Sequence, residues 1–491
     1  MEHRISKKLI RKVPYFDRML SHDLLESKEN KVKLDFDERA LKLILISLEF
    51  GLIFIEMDNV INLCTIADYF GVNNYLIDDC ISHFHDNFSI EHLPVVIPQV
   101  TATSKLINSR ALNVFIRRYF TKIVNTTAWL DYPIETIEFV CALDLMIYSE
   151  VQVFDAIIRW IKLKKNPRKS FLKRLLKLIR WCHLKCKDLA EIKKNKYVKS
   201  LKFEPKLCSR DKSGCDCSID RTKQNFFIII DQLDAANLRV KVLNRYFVPL
   251  VNKVVEPDDS MPLHLVHNEH VSDIFDSGRN IIRIDWKQKK YRLLDYKSHY
   301  RKIHKCLFGD QKSGAHSKIL LPVESSCYED CWTINSLLEA NDKFILVRSH
   351  ADCFQCWTTP TTEQIDSHFI DCGHTSLATV LNDNIYLLKH NFEFYQINVD
   401  SKPKLGWMTV DRLKDFNFGN LLLTSSQANG DKVFIIEKTT RTLFCYNVKT
   451  EKWSSIGRIS DCDNRSADQR DRSDRLLTFT STFISMDTIV L

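Results

Sequence analysis

The sequence predicts a multidomain chain: an α+β module at the N-terminus, an all-α segment after it and an all-β, propeller-like C-terminal domain. Three observations carry this. Apolar residues recur at helical spacing from Ala40 to Ile179. Turn residues and cysteines between Glu204 and Lys223 then break that pattern. From Asn225 onward short apolar strands alternate with polar turns, and strand clusters recur at a period of roughly 40–50 residues, as in a β-propeller.

In the first module Val32 and Leu34 alternate with lysines, which is strand spacing, and predict a short strand pair. Asp37 is placed to cap a helix carrying Ala40, Leu41, Ile44, Leu45 and Leu48, and Gly51 to end it. Asp58 is placed to cap a second helix with Val60, Ile61, Cys64 and Ala67. A short helix over Asp78–Phe84 follows, and Pro94 and Pro98 interrupt the pattern. Helices are expected over Ala111–Val124 and Ile134–Leu143. Ser149 and Gln152 form a capping box, with Val153, Phe154, Ile157, Trp160 and Ile161 as core residues of the helix it opens.

In the β region the clearest unit is 431–453, with Val433–Ile436, Leu443–Tyr446 and Trp453; similar units begin at Asn384, with Trp407, and at Asn341. Weaker copies start near Phe226 and Asn280, for roughly five or six blades in all. Trp407 and Trp453 read as blade-packing residues. Residues 461–474 read as a disordered loop, and Leu476–Leu491 as a final strand that closes the ring.

These blocks resemble a known family. Val13-Pro14-Tyr15-Phe16, Glu26-Ser27-Lys28-Glu29-Asn30, a strand, a helix, Gly51, Asp58-Asn59-Val60 and Ala67-Asp68-Tyr69 resemble the second half of a BTB (POZ) domain over Lys8–Phe88. Ser149-Glu150-Val151-Gln152-Val153-Phe154-Asp155-Ala156-Ile157-Ile158-Arg159-Trp160 resembles the central helix of a BACK domain. The strand, strand, Tyr-Asn, Trp order resembles kelch repeats. The expected division is a partial BTB domain (1–88), a BACK domain (89–204), a linker (205–224) and a degenerate kelch-like β-propeller (225–491). The family pattern begins with a strand pair and a helix, whereas only residues 1–13 precede Pro14. That part supplies much of the family's homodimer interface, so its shortening speaks against a homodimer here. Kelch blades carry a Gly-Gly doublet, and this chain has none among its 11 glycines.

Composition bounds the function. The net charge is +9, with much of the excess between Arg159 and Lys202, where basic residues interleave with Leu172, Leu175, Leu176 and Ile179 as on a solvated amphipathic helix. No nucleic-acid-binding motif accompanies it, and no run of apolar residues is long enough to span a bilayer or serve as a signal peptide. Sixteen cysteines in such a chain read as reduced thiols, and the expected location is cytoplasmic or nuclear. Cys208, Cys215 and Cys217, spaced C-x6-C-x-C, lack zinc-pair spacing, and Cys182, His183 and Cys186 upstream could complete a set only by folding back; Cys186 and Cys306 have lysine neighbours that could stabilise a thiolate. His264, His267 and His270 are spaced by three in a turn-rich stretch that reads as a surface loop. No catalytic or cofactor motif is present, so neither an enzyme nor a cofactor is expected.

The resemblance implies a substrate-recruiting adaptor of a cullin-3 type ubiquitin ligase. In the family a hydrophobic-x-Glu motif docks the cullin, and here Leu24-Leu25-Glu26 matches it, which makes Leu24 and Glu26 the candidate contacts. The residues alone are equally consistent with an internally packed Leu24 and a solvated Glu26. The propeller would bind the target protein, which no loop motif identifies. The alternative is a non-ligase scaffold of cytoskeletal (actin-binding) or transcriptional type.

Overall fold

The computed structural model describes residues 4–22, 25–29, 31–72, 74–201, 203–204, 219–276, 280–309, 334–340, 343–350, 353–359, 364–368, 376–382, 384–398, 406–426, 430–459, 475–485 and 488. Leu24, the three cysteines of the 205–218 stretch and the 461–474 segment lie outside these, as does the side chain of Trp407.

The helical part contains α1 (Lys7–Ile10), α2 (Pro14–Ser21), α3 (Leu25–Glu29), α4 (Glu38–Phe50), α5 (Val60–Phe70), α6 (Asn74–Asn87) and α7 (Leu93–Val96). It continues with α8 (Ser109–Ile123), α9 (Thr127–Asp131), α10 (Ile134–Ala142), α11 (Glu150–Leu163), α12 (Lys165–Arg168), α13 (Leu172–Leu175), α14 (Cys186–Lys194) and α15 (Lys196–Ser200). Asp37 caps α4 by accepting from Ala40 N at 2.8 Å, and Gly51 ends it at φ 72°, where a β-carbon would be strained. The capping box of α11 is formed as expected, with Gln152 Oε1 accepting from Ser149 N. Trp160 and Phe154 are buried.

Two local expectations need correction. Asp58 does not cap α5; it pairs with Arg39 at 2.6 Å, and the cap position falls to Asn59. The free α5 amides of Ile61 and Asn62 are taken by Gln99 Oε1, from 38 residues further along the chain in the case of Ile61 (3.0 Å). The alternation at Val32 and Leu34 is real as burial, but not as a ladder. Residues 31–36 and 52–57 run as half-buried segments with alternate side chains inward, and the described residues before 225 form no hydrogen-bonded strand pair.

From Asn225 the chain forms β1 (Asn225–Gln232), β2 (Leu238–Leu243), β3 (Pro249–Pro257), β4 (Val271–Asp276), β5 (Asn280–Asp285) and β6 (Lys290–Leu294), then α16 (Tyr296–Phe308). There follow β7 (Ile334–Glu339), β8 (Phe344–His350), β9 (Cys353–Thr359), β10 (Gln364–His368), β11 (Ser376–Leu381), β12 (Asn384–Lys389), β13 (Glu393–Asn398) and β14 (Gly406–Thr409). The last are β15 (Leu421–Ser425), β16 (Lys432–Glu437), β17 (Thr442–Asn447), β18 (Lys452–Arg458) and β19 (Arg475–Phe483). Strands β7–β10, β11–β14 and β15–β18 are three antiparallel four-stranded blades. The remaining sheet runs β19-β1-β2-β3-β6-β5-β4, but β3 and β6 touch only at Glu256–Lys290 and Pro257–Tyr291. It is therefore two blades joined at a corner, and the described residues make a five-bladed ring.

The ring closes as the C-terminal sequence predicts. β19 pairs antiparallel with β1 along its length, from Asn225–Phe483 to Gln232–Arg475, so the last strand becomes the innermost strand of the first blade. Inner strands β4, β7, β11, β15 and β19 surround one narrow polar cavity of about 40 Å³. Hydroxyls stitch them together. Thr480 Oγ1 donates to Phe275 O (2.9 Å), Ser481 Oγ to Ser425 O (2.7 Å) and Ser425 Oγ to Val380 O (2.6 Å). Each bond satisfies a buried carbonyl that no strand ladder reaches.

With few glycines, the hairpins use another device. The turns Asp285–Lys289, Glu437–Arg441 and Asn447–Glu451 each begin with an acceptor side chain bonding the turn amides and end with a non-glycine residue at positive φ (56°, 58° and 53°). Such a residue carries a strain of about 1 kcal/mol that glycine would lack. Lys289→Gly is thus expected to stabilise the fold by a few tenths of a kcal/mol to about 1 kcal/mol, less the extra entropy of the unfolded chain. A lower denaturation midpoint would contradict this.

Helix α16 was not expected. Tyr300, Ile303, Cys306 and Leu307 recur at helical spacing and are buried, and Asp295 caps the helix through Ser298 N (2.8 Å). It follows β6 and packs into the same apolar core as α5, α8 and α11, so one core runs from the helical part into the ring. Cys306 lies in that core, where burial pushes the thiol up; it is no stabilised thiolate.

Candidate protein-interaction site

The sequence marks the N-terminal face. α3 rests on α2, and its Glu26 is exposed, with its carbonyl accepting from Lys31 N (3.2 Å). Beneath lies an aromatic cluster in which Tyr15 meets Tyr69 (5.2 Å between centroids) and Phe70 (5.5 Å), and Phe16 meets Phe70 (4.9 Å). This packing fixes α2 on α5. On the same module Phe50, Leu52 and Phe54 are more than two-thirds exposed. The structure thus leaves Glu26 available at the surface and supplies apolar surface on the same module.

The other site-building feature is the junction of α8 with the ring, which sequence reading missed. Glu339, at the end of β7, accepts from Arg118 Nη1 and Lys122 Nζ, both at 2.8 Å; Lys122 is 2% exposed. Burial would push the Glu339 carboxyl up, but the two cations outweigh it and hold it down at about 2. Lys122 also lies over the Phe344 ring, 4.7 Å from its centroid. Nearby, Arg117 Nε donates to Asp144 O (2.6 Å) and its Nη2 to Gln224 Oε1 (3.0 Å) and Ser485 Oγ (3.1 Å). Basic residues in an otherwise apolar helix were the available signal, but their partner lies over two hundred residues away.

Arg221, after the 205–218 stretch, is 1% exposed and donates to Cys141 O (2.8 Å) beside the fully buried Glu150. It anchors the entry to β1 on α10 and α11.

The His264–His270 stretch is not a simple surface loop. Asp273 holds Arg283 through two bonds (2.7 and 2.8 Å), and His299 Nε2 is 3.0 Å and His267 Nε2 3.8 Å from the same carboxylate. This buried ion group draws the loop inward. His264 stacks on His85 of α6 at 3.7 Å and 7°. Burial, then the neighbouring histidines and Lys302, lower His85 to about 3; burial and Arg283 lower His267 to about 4. Among the described residues no group of three or more His, Cys, Asp or Glu is arranged to hold a metal.

Both histidines are neutral in the fold. Between their ordinary value near 6.5 and their folded values, the unfolded chain binds more protons. Stability should therefore fall as pH drops from 6.5 toward 4.5, by up to about 1.4 kcal/mol per pH unit for each histidine. Urea denaturation across this window checks it, since Glu339 contributes only at lower pH. A flat profile, or an unchanged slope in His85→Phe, would contradict it.

Residues 102–194 match the family model described as BACK, BTB And C-terminal Kelch. The chain is 26% identical to mouse Kelch-like protein 9 over 192 residues, which is 38% of this chain and 30% of that protein. It is 23% identical to human Kelch-like protein 6 over 168 residues, 34% of this chain and 27% of that protein. The matches thus span less than a third of either relative. Apo AztD from Citrobacter koseri aligns with 53% of this chain and 98% of its own at 10% identity, but a TM-score of 0.26 is too low to carry an argument. The BACK match and the two relatives support a BTB-BACK-kelch assignment for the chain. Among the described residues no helix is long and apolar enough to cross a membrane.

Proposed function

We propose that this chain is a cytoplasmic adaptor that recruits a target protein to a cullin-3 type ubiquitin ligase. The BACK segment, followed by a ring closed on its own last strand, is the observation that carries the reading. Leu24 and Glu26 contact the cullin: an apolar side chain fills a pocket, and the exposed carboxylate fixes register. The propeller binds the target. The boundaries 1–88, 89–204, 205–224 and 225–491 divide these roles. Purified full chain mixed with the cullin-3 N-terminal domain should co-elute, and Glu26→Lys should not. Equal behaviour of the two proteins would sink the docking assignment.

A second reading is a non-ligase scaffold on actin filaments or at a promoter. It is favoured by the N-terminal module, whose extended segments at 31–36 and 52–57 form no ladder with each other. Co-sedimentation with filaments, without cullin binding, would select it.

A further inference from the structure

Between α8 and the ring lies a second cavity, of about 360 Å³, far larger than the central one. One face of α8 forms its floor through Arg110, Asn113, Val114 and Arg117, at helical spacing. The opposite wall is Glu269 and His270, before β4, with Ser485 and Thr488 after β19. Both walls are pinned in advance. Thr488 Oγ1 donates to Glu269 O (3.1 Å), Thr488 N to Ser485 O (3.0 Å), and Trp286 N to His270 O (2.9 Å). Arg117 is fixed by the carbonyl, amide and hydroxyl oxygens given above, the last of them from Ser485 of the opposite wall.

We infer that this cavity is a binding site for a small anionic molecule, a phosphate or carboxylate compound, which bridges α8 and the propeller. Its size falls in the range of small-molecule sites. Among the described residues the lining carries two guanidinium groups against one carboxylate, which favours an anion. At the exposed rim Arg110 is paired with Glu269 (2.8 Å), a contact that an incoming anion can exchange cheaply because it is solvated. Two turns along the helix, about 10 Å away, the Arg117 guanidinium is held in place by its bonds to Asp144 O, Gln224 and Ser485, and its positive charge adds to the attraction of an anion. Between them Asn113 Oδ1 is buried without a hydrogen-bond partner. A buried acceptor of this kind calls for a donor, and a ligand hydroxyl or amide beside the anionic group would supply it. Because its walls come from both the helical part and the ring, an occupant would tie the two together.

The test uses the full chain with two probes, inorganic phosphate and succinate, at constant ionic strength. Calorimetric titration should give saturable one-site binding for at least one probe, and that probe should raise the melting temperature. Which probe binds identifies the anionic group. Val114→Phe, which fills the cavity, should weaken binding at least tenfold. Asn113→Leu fills space and removes the orphan acceptor, so it should abolish binding while the melting temperature of the unliganded chain holds or rises. It serves if the phenylalanine variant fails to fold. Absence of saturable binding by both probes, or equal binding by wild type and Asn113→Leu, would overturn the proposal.

Discussion

Glu339→Ala is expected to destabilise the folded chain by about 3–5 kcal/mol. The carboxylate is the shared acceptor for Arg118 and Lys122, and Lys122 is almost fully enclosed between α8, the Ala340 carbonyl and the Phe344 ring. Removing it leaves two cations in a low-dielectric junction, and that desolvation cost far exceeds the modest net gain of an exposed ion pair. The physical claim is that the loss comes from stranded charge and not from missing contacts. Replacing Arg118 and Lys122 by methionine together with Glu339→Leu should therefore recover most of the stability. Chemical denaturation of the single and triple variants checks this. A single variant within about 0.5 kcal/mol of wild type would show that the junction is wet and the ion group dispensable.

Phe479→Ala is expected to cost about 3–5 kcal/mol and to open the ring. Phe479 sits on β19, fully buried, stacked on Phe227 of β1 at 5.8 Å and 17°, in a core that includes Phe434 and Ile436 of the last blade. Arg441 of that blade also reaches Asp231 on β1 at 3.0 Å. One side chain thus holds the closing strand against both blades it joins. The loss should appear as faster amide exchange in β1, β15 and β19 ahead of β12 and β13. Uniform destabilisation without that order would contradict the closure role.

What the sequence disclosed follows the range of the interactions. Helix caps such as Asp37 and Ser149, the buried stripe of α11 and the strand triplets of the last two blades depend on residues within a few positions of each other, and each was legible. The closing strand was legible because its apolar content is high. The cap of α5 was misassigned because its real acceptor, Gln99, is distant in sequence. Helix α16 was missed despite a readable period, because the repeating strands around it set the expectation. The histidine stretch was misread because its fate depends on Arg283 and His299, which no local pattern ties to Asp273. At the candidate docking face the sequence pointed to Glu26, and the structure places it at the surface; Leu24 lies outside the described residues.

Hydrogen–deuterium exchange of the full chain, with and without the cullin-3 N-terminal domain, tests the adaptor account most directly. The account predicts new protection in peptides spanning residues 14–36, around Glu26, while the five blades exchange as before. Protection confined to the blades, or no change anywhere at saturating cullin, would contradict it.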